Sequence, residues 1–196
     1  MGKGAKTRDA ILRAAVEVAC RDGFEGLNLQ PLAVRVGLTK SGLYAHFGSK
    51  LSLQIATLER AAELFQQSVL APAKTEPAGL PRLQGVFARW LEWPGCAGLP
   101  GSCPFLAAVV GFDADLGPLR ARLQRLFGEF QQIIEQLVAA AIRRGHLKRS
   151  PAPTQFTHEL VALRYAHQWA ARFMQDPAAA ERTQAAFAAL SGRSLR

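Results

Sequence analysis

Apolar residues recur along this chain at helical intervals. Ile11, Ala15, Val18 and Ala19 fall at i, i+4, i+7 and i+8, a stripe that predicts a first helix capped by Thr7. Gly23 stops it, because glycine can take the left-handed conformation of a C-terminal cap while Phe24 folds back on the last turn. Asn28 reads as the cap of a short second helix, with Pro31 tolerated in its first turn and Leu32, Ala33 and Val36 on its inner face. Gly37 ends that helix, Thr39 caps a third that starts at Lys40, and Ser49 caps a fourth that carries Leu53, Leu58, Ala62 and Phe65 toward Pro72.

Between Pro72 and Pro81 the sequence turns to proline, glycine and small polar residues, a boundary between a compact N-terminal unit and the rest. Helical patterns then resume. One helix runs from Leu80 to Trp93, the stretch from Pro94 to Ser102 is a loop, and Pro104 opens an apolar segment to about Phe112. A long amphipathic helix follows from Pro118 to Gly145, and two more from about Thr154 to Gln175 and from Pro177 to Leu190. No β-sheet is needed anywhere. The fold class is all-α: a three-helix N-terminal domain over residues 1–50 and a larger helical domain over 51–196, in which residues 51–71 form the connecting helix.

Charge narrows the partners. Lys and Arg number 24 against 15 Asp and Glu, a formal charge of +9, which favours polyanions such as nucleic acid; basicity that serves solubility alone is the other reading. The three cysteines, Cys20, Cys96 and Cys103, are odd in number and at no metal-ligand spacing, so neither a disulfide framework nor a zinc site is expected. Cys103 with Cys96 as a redox pair is the sharper alternative to a small buried thiol. His158 and His167 fall on roughly opposite helix faces, so no metal is assigned, and no cofactor is expected. No apolar run reaches the roughly 18 residues that span a bilayer, and no secretory signal follows the basic N-terminus, so the expected place is the cytoplasm, with no membrane partner.

The most informative stretch is GLTKSGLYAHFGSK, Gly37 to Lys50. Two short helices joined by a glycine-containing turn make a helix-turn-helix, whose second helix enters the major groove of DNA. With Leu38, Leu43 and Phe47 turned inward against Leu32 and Val36, the residues Thr39, Lys40, Ser41, Tyr44, His46 and Lys50 are left for nucleic acid, joined by Asn28 and Gln30 from the second helix. Gly42 costs about 1 kcal/mol in a helix interior, and close approach to a base edge would explain it. Lys50 beside the Ser49 cap adds charge to free helix N-terminal amides, a natural phosphate clamp. The plain alternative is a solvated polar face on a small bundle.

From Ile11 to Leu53 the chain resembles the DNA-binding domain of TetR-type (TetR/AcrR) transcriptional regulators. The family's helix-one pattern falls on Ile11, Ala15 and Gly23, its second-helix pair on Leu32 and Ala33, and its third-helix signature on Gly37, Leu43, Tyr44, Phe47 and Lys50. The resemblance implies an all-helical homodimer, usually a repressor, that binds a double-stranded operator and is released by a small-molecule effector held in the C-terminal domain. Gly42 stands where Thr or Ser is common, and Ala45 where a longer polar residue is frequent, so fewer side chains are left to read bases. Gly101 to Leu123 is similar to a segment of one branch of these regulators.

In the C-terminal half, Phe87, Trp90, Leu91, Phe105, Phe112, Phe127, Phe130 and Ile134 lie on inward faces, lining an effector pocket or closing a packed core. Phe156, Leu160, Leu163 and His167, with Ala186, Phe187 and Leu190, form apolar stripes on the last two helices that two copies would bury as a four-helix interface, the other reading being packing within one subunit. Two rivals from other classes are weighed. A helical-bundle enzyme would need a Glu-x-x-His pair, an Asp-rich metal motif or a nucleophile beside a base, and the sequence offers none of them. A sequence-independent architectural DNA binder would need only the charge.

Overall fold

The computed structural model describes residues 3–93, 95–111, 117–147 and 152–193, and every regular element among them is helical. The α-helices are α1 (Lys3–Asp22), α2 (Leu29–Arg35), α3 (Lys40–Phe47), α4 (Lys50–Phe65), α5 (Ala71–Ala73), α6 (Leu80–Glu92), α7 (Pro104–Gly111), α8 (Gly117–Arg143), α9 (Pro153–Gln168) and α10 (Ala179–Arg193). A π-helical turn, Gln66–Leu70, joins α4 to α5, and another, Trp169–Phe173, prolongs α9.

Most stops and starts follow the local chemistry. Gly23, Gly37 and Gly48 all take the left-handed conformation, with φ of 70°, 68° and 73°, which a side chain at these helix ends would make costly. Thr39 accepts from the Gly42 amide at 3.0 Å, and Ser49 accepts from the Ser52 amide at 3.0 Å. The first helix departs from expectation at its start. It begins at Lys3, so Thr7 lies inside the helix and not at its start; no proline between them interrupts the backbone ladder. Asn28 does hold the cap position of α2, with φ −102° and ψ 133°, but its side chain makes no capping bond.

By internal contact the chain divides into two compact units, one of Met1–Phe65 with Ala97–Leu126 and the other of Gln66–Cys96 with Phe127–Arg196. In the first unit α1 packs on α4 and on α7, and α2 packs on α3. Ile11, Ala15, Leu27, Ala33, Leu43 and Leu53 are fully buried there. The segment around Gly101 is held against the end of α1. Ser102 donates its amide to the Cys20 carbonyl at 2.8 Å. Gly101 has φ +79°, and a Cβ there would lie 2.6 Å from that same carbonyl oxygen, so both the backbone conformation and the close approach require glycine. Arg122 of α8 grips Glu59 of α4 with two nitrogens, Nε on one carboxylate oxygen and Nη2 on the other at 2.8 Å, the forked geometry that fixes orientation as well as charge.

In the second unit α9 and α10 fold back on one another, and α6 packs on α9. Arg164 is only 1% exposed. Its Nε donates to the Trp90 carbonyl at 3.1 Å, Nη2 to the Trp93 carbonyl at 3.3 Å and Nη1 to Gln168 at 3.1 Å. A buried guanidinium thus closes the C-terminal end of α6, where carbonyls lack intrahelical donors and the helix dipole favours a cation.

Candidate nucleic-acid interface

The candidate site is the exposed side of α3, and the sequence builds it from both ends. At the start, the Thr39 hydroxyl takes the Gly42 amide. At the end, Gly48 returns its amide to the Tyr44 carbonyl at 2.7 Å. Leu38 donates to the Ala33 carbonyl at 2.9 Å across the turn, which fixes α2 to α3. Leu43 and Phe47 are buried at 0% and 8% exposure, with Leu32 and Ala33 at 2% and 0% facing them from α2. These contacts set the rotation of α3 and so decide which of its residues face outward.

Thr39, Lys40, Ser41 and Tyr44 are exposed, as are Asn28 and Gln30, while Gly42, His46 and Lys50 are half-buried. The Ser41 hydroxyl lies 3.1 Å from that of Thr39, and Tyr44 presents half of its side chain to solvent. A Cβ at Gly42 would sit 3.2 Å from the capping Thr39 oxygen, a contact that a shift of a few tenths of an ångström would relieve.

Lys50 is tethered as well as charged. Its Nζ donates to the Glu25 carbonyl at 3.1 Å, across the loop that follows α1. Two further basic residues near α3 lie in no sequence pattern that marks them. Arg35 pairs with Glu17, and Arg8 of α1 reaches the end of α3, where its Nη1 donates to the His46 carbonyl at 2.8 Å and its guanidinium lies 4.3 Å from the centre of the Phe47 ring. The Arg8–His46 contact spans 38 positions, beyond the reach of any periodicity.

The aromatic residues assigned to a pocket divide between the units. In the second, Trp90 meets Phe130 edge-on at 4.7 Å, and Phe87 meets Trp90 edge-on at 6.4 Å. Leu91 and Ile134 are buried, and Phe127 and Phe130 half-buried. Phe105 belongs to the first unit, where it packs edge-on against Phe65 at 6.1 Å. Phe112 lies outside the described residues.

Most of the stripe expected at a dimer interface is covered within a single chain. Phe156, Leu160, Phe187 and Leu190 are 1%, 0%, 6% and 2% exposed within a single chain, because α9 and α10 bury these faces in their own unit. Phe187 stacks on Phe87 at 4.7 Å. His167 is buried, and its Nδ1 lies 3.3 Å from the Thr183 hydroxyl, whose proton goes to the Ala179 carbonyl at 2.7 Å; Nδ1 is therefore the donor of that pair. Loss of hydration holds the His167 pKa below the ordinary 6.5, the Arg164 charge adds to this, and the bond to Ala179 opposes it. Leu163 and Ala186 keep partial exposure. The large apolar side chains that α9 and its π-turn leave in solvent are Tyr165, Trp169 and Phe173, followed by Met174.

Among the described residues no helix is long and apolar enough to cross a membrane, and no three His, Cys, Asp or Glu side chains are placed to hold a metal.

Residues 11–57 match the bacterial regulatory proteins of the tetR family, and residues 79–187 match the tetracyclin repressor-like C-terminal domain. This chain belongs to the TetR family. Among its relatives, the HTH-type transcriptional activator FasR of Mycolicibacterium smegmatis is 30% identical over 86 residues, 44% of this chain and 39% of that one. The HTH-type transcriptional repressor NicS of Pseudomonas putida is 36% identical over 63 residues, 32% of this chain and 30% of that one. The chain therefore spans well under half the length of either of these two curated relatives. A TetR transcriptional regulator of Chloroflexus aurantiacus has the same fold throughout, with a TM-score of 0.83 and 25% identity over 98% of this chain and 96% of that one. The family and these relatives are transcriptional regulators, not enzymes.

Proposed function

We infer that this TetR-family chain is a cytoplasmic transcriptional repressor, which binds a palindromic double-stranded operator as a homodimer and is released when a small molecule occupies its C-terminal helical domain. One observation carries the reading. Helix α3 is capped at both ends, seated on Leu43 and Phe47, and leaves Lys40, Ser41 and Tyr44 in solvent. That is the geometry by which a recognition helix offers its first turns to base edges and its flanks to phosphates.

The dimer is supported by Tyr165, Trp169 and Phe173, which recur every fourth position with 37%, 58% and 77% exposure. Residues at this spacing share a helix face, and an apolar face of this kind marks an interaction surface. A second copy is its occupant, since one recognition helix reaches one half-site and a palindrome has two. Of the two regulators named above, one activates and one represses. Repression is the simpler reading here, because a dimer seated on an operator blocks transcription without any surface for the polymerase.

The test is selection of bound fragments from genomic DNA by the purified protein, followed by a reporter placed behind the recovered site. A protected palindrome with reporter output that falls on expression of the protein supports the reading. Uniform coverage of all fragments would sink it in favour of an architectural binder, and rising output would reverse the sign of regulation.

A further inference from the structure

Arg8 stands on α1, outside the helix-turn-helix, yet both of its described contacts end on α3. The His46 carbonyl that it holds at 2.8 Å is in the last turn of that helix. Carbonyls there have no intrahelical donor, and the helix dipole leaves partial negative charge on them, so a guanidinium is a matched partner. The same group lies over the face of Phe47, the neighbouring residue, at 4.3 Å from its centroid, within the range of a cation–π attraction. Phe47 is itself buried. Two contacts at adjacent residues resist both a roll of α3 about its axis and a lift of its C-terminal end.

We propose that Arg8 is a positioning residue for base reading, one that sets the roll of α3 from α1 and so aims Lys40 and Ser41, while making no phosphate contact of its own. The inference rests on the DNA-binding reading above and goes beyond it by separating what two kinds of cation do at the same face. A phosphate contact strengthens binding to every sequence and releases about one counterion, whereas a positioning residue acts only where base edges are read. Arg8 already has a carbonyl and a ring face as partners in the free protein, so in a complex it has least need of phosphate.

The experiment compares the parent protein with Arg8→Ala and Arg8→Lys on a selected operator duplex and on a mixed-sequence duplex over a range of salt, with amide exchange measured on the free proteins. Arg8→Ala is expected to lose roughly tenfold in affinity for the operator, about 1.4 kcal/mol, and less than twofold for the mixed duplex, with the salt slope unchanged. Amides from Phe47 to Ser49 should exchange faster while those of α1 keep their rates. Arg8→Lys, which retains a charge and a donor without the planar face, should recover part of the operator affinity. Equal losses on both duplexes, with a slope lowered by about one per subunit, would overturn the proposal and make Arg8 a phosphate contact. If the parent binds no duplex, the DNA-binding reading fails by itself; the exchange data still decide the clamp, because unchanged rates at Phe47 to Ser49 would remove it.

Discussion

Arg164 Nε and the carbonyl oxygen of Trp90 lie 3.1 Å apart in the interior of the second unit, so the end of α6 is completed by a side chain from α9. Removing that side chain leaves the Trp90 and Trp93 carbonyls buried without it, at about 1–3 kcal/mol each, together with a cavity. Arg164→Ala should therefore lose about 3 kcal/mol or more, a fall in Tm of the order of 10 °C. Arg164→Lys should recover only part of this, since one ammonium cannot reproduce the fork. Thermal unfolding followed by circular dichroism reads both variants. A shift of under 2 °C in Arg164→Ala would mean that water satisfies these carbonyls.

Close by, His167 gives the second unit a pH dependence of definite sign. Its pKa is held below the ordinary 6.5, first by loss of hydration and then by the Arg164 charge. In the unfolded chain it takes up a proton near pH 6.5 that the folded chain refuses, so its contribution is fully present above that pH and is lost as pH falls toward the folded value. Unfolding by urea at pH 7.5 and 5.5 should show stability falling between them. The fall should be smaller in His167→Gln, and an equal fall in that variant would assign the dependence to other groups.

The two halves of the recognition helix should respond differently to substitution. Ser41→Ala and Lys40→Ala remove exposed groups from its first turn and should change which operator is preferred; a binding-site selection that returns the parent sequence would end their base-reading role. Lys50→Ala should weaken binding to every sequence about equally and lower the salt slope by roughly one ion per subunit. Because Lys50 also donates to the Glu25 carbonyl, Tm must be read alongside. A lower Tm with unchanged affinity and slope would make Lys50 a tether alone.

What could be read from the sequence follows the range of the interactions. Gly23, Gly37, Thr39 and Ser49 announced their helix ends, because a positive φ or a hydroxyl three residues before an amide is settled within one turn. Leu43 and Phe47 then fixed the outward side of α3 by spacing alone. Three things were not legible. The Arg8 clamp joins residues 38 apart. The packing of α7 on α1 turns on the approach of Gly101 to the Cys20 carbonyl, which composition suggested only as a loop. And periodicity marks the apolar positions of α9 and α10 without saying whether the same chain or a second one covers them.

That last ambiguity yields the sharpest prediction for assembly. Phe187 stacks on Phe87 at 4.7 Å and is 6% exposed in one chain, so Phe187→Arg places an unpaired charge in the unit's own core, at a cost of several kcal/mol. It should unfold the second unit rather than release intact subunits. Phe173 is 77% exposed and Trp169 is 58% exposed, and replacing either with arginine leaves the core untouched. Phe173→Arg should give a monomer that keeps its helical circular dichroism, yet loses tight binding to a palindrome because only one recognition helix can engage at a time. A single half-site duplex should be bound by this variant as well as by the parent. Light scattering with two duplexes separates the cases. A dimer of unchanged affinity in Phe173→Arg and Trp169→Arg would place the interface elsewhere, and a folded monomer from Phe187→Arg would return it to the stripe that this structure buries.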